Sequence, residues 1–256
     1  MIIDAFMKVV DKNSLLAGFA IIGGIMLVAQ LISRYLTGGR VHASAIAIAM
    51  GLVLAWFGGL KTGGSKGMAD IPLFAGVAVM GGAMLRDFAI IATAFGVDIR
   101  ELKGAGIPGV ISLLLGVVVS FVIGAAIAYA FGYTDAVSMT TIGAGAATYI
   151  VGPVTGAAIG ASSDVMALSI AAGLIKSILV MVCTPFVAKW IQLNNPQTAI
   201  VFGGLMGTTS GVAGGLAATD PRLMPYGAMT ATFYTGLGCL MCPSILFLAT
   251  RAVMGG

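Results

Sequence analysis

Charge is what this sequence has least of. Only 9% of its 256 residues are Asp, Glu, Lys or Arg, against about a quarter in soluble domains. Apolar residues make up 59%, and the mean hydropathy is +1.08. A water-soluble globule is thereby excluded, and a membrane protein is left. The 13 Lys and Arg are scattered singly, so the net charge of +4 builds no basic face. Nucleic acid is excluded as a partner, and the loops of a multi-pass protein account for these charges. Histidine occurs once, at His42, and cysteine three times, at Cys183, Cys239 and Cys242. An odd number of thiols inside apolar segments, with no histidine nearby, excludes a disulfide framework and a zinc site. The thiols read as small packing residues. With neither a His/Cys/Asp cluster nor a nucleophile–base pair in view, the chain is not expected to be an enzyme or to hold a cofactor. The opening MIIDAFMKVVDK carries Asp4 and Asp11 and no apolar run of signal length, so no cleavable signal is expected.

What the sequence has is apolar runs long enough to cross about 30 Å of hydrocarbon, which takes roughly 20 residues each. Six are expected, at 15–32, 42–60, 71–95, 107–131, 165–188 and 226–248. The fold class is therefore all-α, a polytopic protein forming one transmembrane domain over 1–256. Four spans fill 15–131, and a broken-helix region fills 136–248. Two stretches in that region, 136–163 and 198–219, are apolar but interrupted by Gly, Pro, Thr and Ser.

The interruptions resemble each other. GPVTGAAIG at 152–160 aligns with GTTSGVAGG at 207–215 at an offset of 55, which pairs Gly152 with Gly207, Thr155 with Ser210 and Gly156 with Gly211. Paired Gly/Pro-interrupted segments point to a transporter binding site. Broken helices free backbone N–H and C=O groups, and these must face protein or a watered cavity. Each stretch either crosses the membrane or dips in and returns. If both return, the single span between them puts one hairpin on each side, as an inverted repeat. If both cross, the repeats are parallel. Loop charges do not separate the two. Hairpins are preferred, because a segment with Gly152 and Pro153 at its middle makes a poor lipid-facing helix.

Between the repeats lies Lys176, halfway along its span. An ammonium at that depth faces a cavity or a partner, and Ser169, Gly173 and Cys183 at i−7, i−3 and i+7 suggest an inward face. No carboxylate occurs within 165–188, which favours an external anion over an internal ion pair. One lysine and two half-helix N-termini of roughly +0.5 each approach the charge of a small dianion. The candidate substrate ligands are Lys176, Thr148, Gly152, Thr155, Gly156, Thr208, Thr209, Ser210 and Gly211. Each hydroxyl has the alternative of bonding back to its own helix. For a cation such as Na⁺ the candidate oxygens are Thr141, Ser163, Asp164 and Asp220, the two aspartates reading also as helix caps. Arg86 with Asp87 reads as an interfacial patch or part of the path, His42 as an interface residue, and Asp70 as a helix start.

Four strings carry a family resemblance: GYTDAVSMTTIGAGAATYIVGPVTGAAIGASSDVMALSI, VFGGLMGTTSGVAGGLAATDP, MGGAMLRDFAI and VHASAIAIAMGLVLAWFGG. Over nearly the whole chain they resemble the MadM subunit of bacterial malonate transporters. The resemblance implies a secondary transporter of the bacterial inner membrane that takes up malonate, a short dicarboxylate, with Na⁺ or H⁺ as coupling ion. It also implies a small MadL-type membrane subunit as partner, and a homo-oligomer of that heteromeric unit as a further assembly. A similarity limited to 138–215 is to LrgB-like membrane proteins. It keeps open a second class, a passive or holin-like pore for small carboxylates in which Lys176 sets anion selectivity.

Overall fold

The computed structural model describes residues 7–10, 12–39, 41, 43–62, 71, 74–79, 100, 103 and 106–254. These form two compact units, 1–92 and 93–256. Among the described residues every regular element is helical, as expected of an all-α membrane protein. Arg40, His42, Asp70, Arg86, Asp87 and most of the third expected span lie outside them.

In the first unit, α1 (Ser14–Leu36) and α2 (Ala43–Thr62) form two long apolar helices. Gly38 and Gly39, at φ 59° and 78°, turn the chain between them, and Ser33 donates to the Val41 carbonyl at 2.7 Å. The short α3 (Ala75–Val79) brings Gly76 against the backbone of Ser14.

The second unit holds α4 (Gly106–Ala130), α5 (Ala136–Ala147), α6 (Val151–Ile159), α7 (Ser163–Val187), α8 (Pro196–Met206) and α9 (Thr209–Ala217). A 3-10 turn at Pro221–Leu223 then leads into α10 (Met224–Met241), a π turn at Cys242–Leu246 and α11 (Phe247–Met254). Among the described residues, four helical stretches have the length and composition to cross a membrane: Ser14–Leu36, Gly106–Ala130, Ser163–Val187 and Pro221–Met254. Burial follows residue size as well as polarity. Along α4 the small residues Gly109, Ser112, Gly116 and Gly124 are buried, while Ile107, Val110, Ile111 and Leu115 are exposed. Large apolar side chains suit lipid, and small ones let helices approach closely.

Both interrupted stretches are hairpins. A methyl group added to Gly152 would lie 2.9 Å from the Gly145 Cα, and one added to Gly156 would lie 2.9 Å from Thr141 Cγ2. As one index rises the other falls, so α6 returns antiparallel along α5. Met166 flanks Gly156, Ser169 flanks Gly152, and Tyr149 flanks Gly173, which places the base of this hairpin at the N-terminal end of α7. For the second hairpin, Gly211 abuts Ser177, Gly214 abuts Met181 and Gly215 abuts Thr184. Here the indices rise together, so α9 runs toward the C-terminal end of α7, where α8 also begins. The two hairpins thus enter from opposite ends of the unit and meet near the middle of α7.

The local sequence explains each bend, though not at the residues the composition points to. Pro153 sits in the first turn of α6, where its missing N–H costs nothing. The break is upstream: α5 ends at Thr148, which is extended at φ −162° and ψ 149°. The second hairpin bends at Gly207, in the left-handed region at φ 69°, with Thr208 extended after it. The entrances are capped alike, since the Asp135 carboxylate accepts from the Ser138 N–H and the Asn195 side chain from the Thr198 N–H.

Spans α4 and α7 both have 25 residues, and α6 and α9 both have nine. The unit is an inverted repeat, α4–α6 and α7–α9, followed by a closing span. The helices α6 and α9 correspond at an offset of 58, not 55. The sequence match is displaced by about one turn, because small residues recur at helical spacing and fit two registers. Asp164 and Asp220 end up at opposite ends of the unit. Single cysteines at these positions are therefore expected to react with a membrane-impermeant thiol reagent from opposite sides of the bilayer. Labelling of both from one side would dismantle the hairpin topology.

Candidate functional site

Helix α7 buries Ser169, Gly173, Ser177, Met181 and Thr184 on one stripe. Lys176 lies beside that stripe and is partly buried, and Cys183 is exposed, so the inward face is centred on Ser177 and not on Lys176. Both residues nevertheless reach a hairpin tip. The Lys176 ammonium donates to the Ala147 carbonyl at 2.8 Å and to Ser120 Oγ at 2.9 Å, and lies 5.3 Å from the centroid of the Tyr234 ring. Ala147 is the last residue of α5, whose carbonyls form the negative end of a helix dipole. An aromatic face adds a further favourable contact for a cation. In this conformation the lysine charge is thus held by a helix C-terminus, a hydroxyl and a ring.

At the other tip, Ser177 Oγ and Thr208 Oγ1 share a hydrogen bond, and Ser210 Oγ donates to Ser177 Oγ at 3.5 Å. Thr208 is the N-cap residue of α9, and Thr209 and Ser210 open its first turn. Hydroxyls and the positive end of a half-helix therefore converge there. The Tyr234 hydroxyl donates to the Gly116 carbonyl at 3.0 Å, and a methyl on Gly207 would strike the Tyr234 ring. Tyr234 thereby connects the second tip and α4 to α10.

Of the expected substrate ligands, Lys176, Thr148, Thr208, Thr209 and Ser210 lie at or beside the two tips. Gly152, Gly156 and Gly211 are points of close helix approach: a methyl on Gly211 would come within 2.7 Å of the Ser177 carbonyl oxygen. Thr155 is fully buried midway along α6, and its hydroxyl has no hydrogen-bond partner among the described residues. The expected cation ligands do not converge. Thr141 donates to its own helix at Val137, and Ser163 and Asp164 are exposed at the start of α7. That helix is capped by Ser162, not by Asp164. Asp220 caps the 3-10 turn and forms an ion pair with Arg222 at 2.8 Å; hydrogen bonds from Arg222 hold its carboxyl below the usual range. Among the described residues no group of three or more His, Cys, Asp or Glu is placed to hold a metal.

Ser120, Ser177 and Tyr234 enter the site without a counterpart among the sequence expectations. A signal for two of them exists. Ser120 and Ser177 occupy the same place, fifteenth of 25, in the repeat-related spans α4 and α7. Each is a hydroxyl at the depth where a hairpin tip ends.

A family model described as malonate/sodium symporter MadM subunit matches residues 6–254. No curated protein and no solved structure matches the chain.

Proposed function

Because the chain belongs to the MadM family of malonate/sodium symporter subunits, we propose that it carries malonate across the membrane with Na⁺, binding the dicarboxylate between the two hairpin tips. The observation that supports this reading most is the pair of neighbours on α7, Lys176 on one tip and Ser177 on the other. One malonate carboxylate takes the Lys176 ammonium, displacing it from the Ala147 carbonyl. The other is held by Thr208, Thr209 and Ser210 at the N-terminus of α9, with Thr148 and Ser120 completing the hydrogen bonds. Charge-assisted bonds to an ammonium and to a helix N-terminus suit a dianion, which neither could balance alone. A small membrane subunit of the MadL type works with the chain in the inner membrane. Hairpins that enter from opposite ends give the two gates that alternating access requires.

Both tips are tied to α7 directly, through side-chain hydrogen bonds and glycine contacts, and this favours a gated carrier over an open pore. Reconstituted in liposomes with its small partner, the protein is expected to concentrate labelled malonate when an inward Na⁺ gradient is imposed, and to lose that uptake when the gradient is collapsed. Uptake that only equilibrates, indifferent to Na⁺ and to a pH gradient, would replace the symporter with a passive path.

A further inference from the structure

Two side-chain hydroxyls, those of Thr140 and Thr155, are fully buried and have no hydrogen-bond partner among the described residues. Other threonines in this fold bond back to a carbonyl four residues earlier, as Thr141, Thr184, Thr230 and Thr250 do. A buried polar group without a partner is costly, and in a native protein it points to a water or an ion that it was built to meet.

The register of the first hairpin places these two hydroxyls together. Positions 141 and 145 of α5 face 156 and 152 of α6. In an antiparallel pair, the residues one step before each contact, Thr140 and Thr155, project from the same flank. That flank continues at helical spacing through Ala144 and Ala147 on α5 and Val151 on α6. Those three side chains belong to one buried cluster with Cys242 and Leu246 of the π turn. The flank therefore faces the π turn, where Pro243 withdraws an N–H from the helix and the ladder of carbonyls is disturbed.

The second hairpin shows that the scaffold does not need these hydroxyls. By the matched caps, Thr140 corresponds to Ile200, and by the matched nine-residue helices Thr155 corresponds to Ala213. The same hairpin is thus built at the other end with apolar residues in both places.

From this we infer that Thr140 and Thr155 are ligands of a monovalent cation site between the first hairpin and the π turn, and that this site takes the coupling Na⁺. Hydroxyl and carbonyl oxygens are hard, neutral donors, suited to an alkali cation. Neither α5 nor α6 contains a carboxylate, so a divalent ion would bring charge that nothing there offsets. The site lies about 6 Å along α6 from its first residue, since Thr155 follows Val151 by four positions. A cation there and the Lys176 ammonium together balance a malonate dianion at the tips, so each ligand is expected to tighten the other.

The inference rests on the Na⁺-coupled reading, and the test separates the two. Thermal stability of the purified protein, without malonate, is measured in NaCl and in choline chloride of equal ionic strength, alongside the Na⁺ dependence of malonate uptake in liposomes. The wild type is expected to be stabilised by Na⁺. Thr140→Val and Thr155→Val are expected to lose that stabilisation and to need at least tenfold more Na⁺ for half-maximal uptake, while Thr155→Ser retains both. Should valine destabilise the hairpin, Thr155→Ala, the residue found at the matching place in the second hairpin, serves instead. Na⁺-driven uptake in the wild type, with variants of unaltered Na⁺ dependence, overturns the cation site and leaves symport standing. Wild-type uptake that ignores Na⁺ overturns both.

Discussion

Replacing Lys176 with alanine is expected to weaken malonate binding roughly a hundredfold, about 2.8 kcal/mol, while leaving the stabilisation by Na⁺ in place. The loss comes from the countercharge: the substrate forfeits its one full positive partner, and this outweighs the release of the Ala147 carbonyl, which competes with malonate for the same ammonium. Lys176→Arg keeps the charge while changing the reach and shape of the donor. If charge dominates, arginine recovers much of the affinity; if the point geometry of the ammonium dominates, it recovers little. Equilibrium binding of labelled malonate in detergent provides the readout. An alanine variant that binds malonate within twofold of wild type would leave Lys176 as a structural tie and remove it from the substrate site.

Gly173→Leu is expected to abolish transport and to lower stability by about 1–3 kcal/mol or more. A side chain there would begin 2.5 Å from the Gly145 carbonyl oxygen and would press on the backbone of Tyr149 as well. These are main-chain atoms of the first hairpin, with no rotamer to swing aside, so α7 and the tip must separate. The control is Gly236→Leu in α10, where no atom lies within 4 Å of an added methyl group. Its uptake and melting temperature are expected to stay near those of wild type. Full transport by the Gly173 variant would mean that close contact between α7 and the first tip is dispensable.

Much of this architecture was legible in the composition. Four of the six expected spans coincide closely with helices α1, α2, α4 and α7, because length and hydropathy leave little choice in hydrocarbon. The hairpins were legible too, from Gly, Pro and Thr concentrated where a lipid-facing helix would need none. Their bends were misplaced, since Gly152 and Pro153 draw the eye although proline is comfortable in a first turn. The extended Thr148 does the bending, and nothing in its type announces that. The inward turn of Lys176 was legible as well, but residues at i−3 and i−7 indicate a stripe only to within one position either side: the buried line runs through Ser177, and Cys183 lies off it. Tyr234 was out of reach, because its place against Gly207 and Gly116 depends on how three helices pack and not on any local spacing.

Lys176 and Ser177 are consecutive, so their side chains leave α7 about 100° apart. Each is fastened to a different hairpin, and both are carried by one stiff helix. A turn of that helix that slides Ser177 off Thr208 swings Lys176 through the same angle in the same sense. The two hairpins are meshed with a single rod, as two racks are with a pinion, and neither can be released without shifting the other. Had the latches sat on separate helices, each could shift without bearing on the other. Placed on adjacent residues of one helix, they make the position of either tip a constraint on the position of the other.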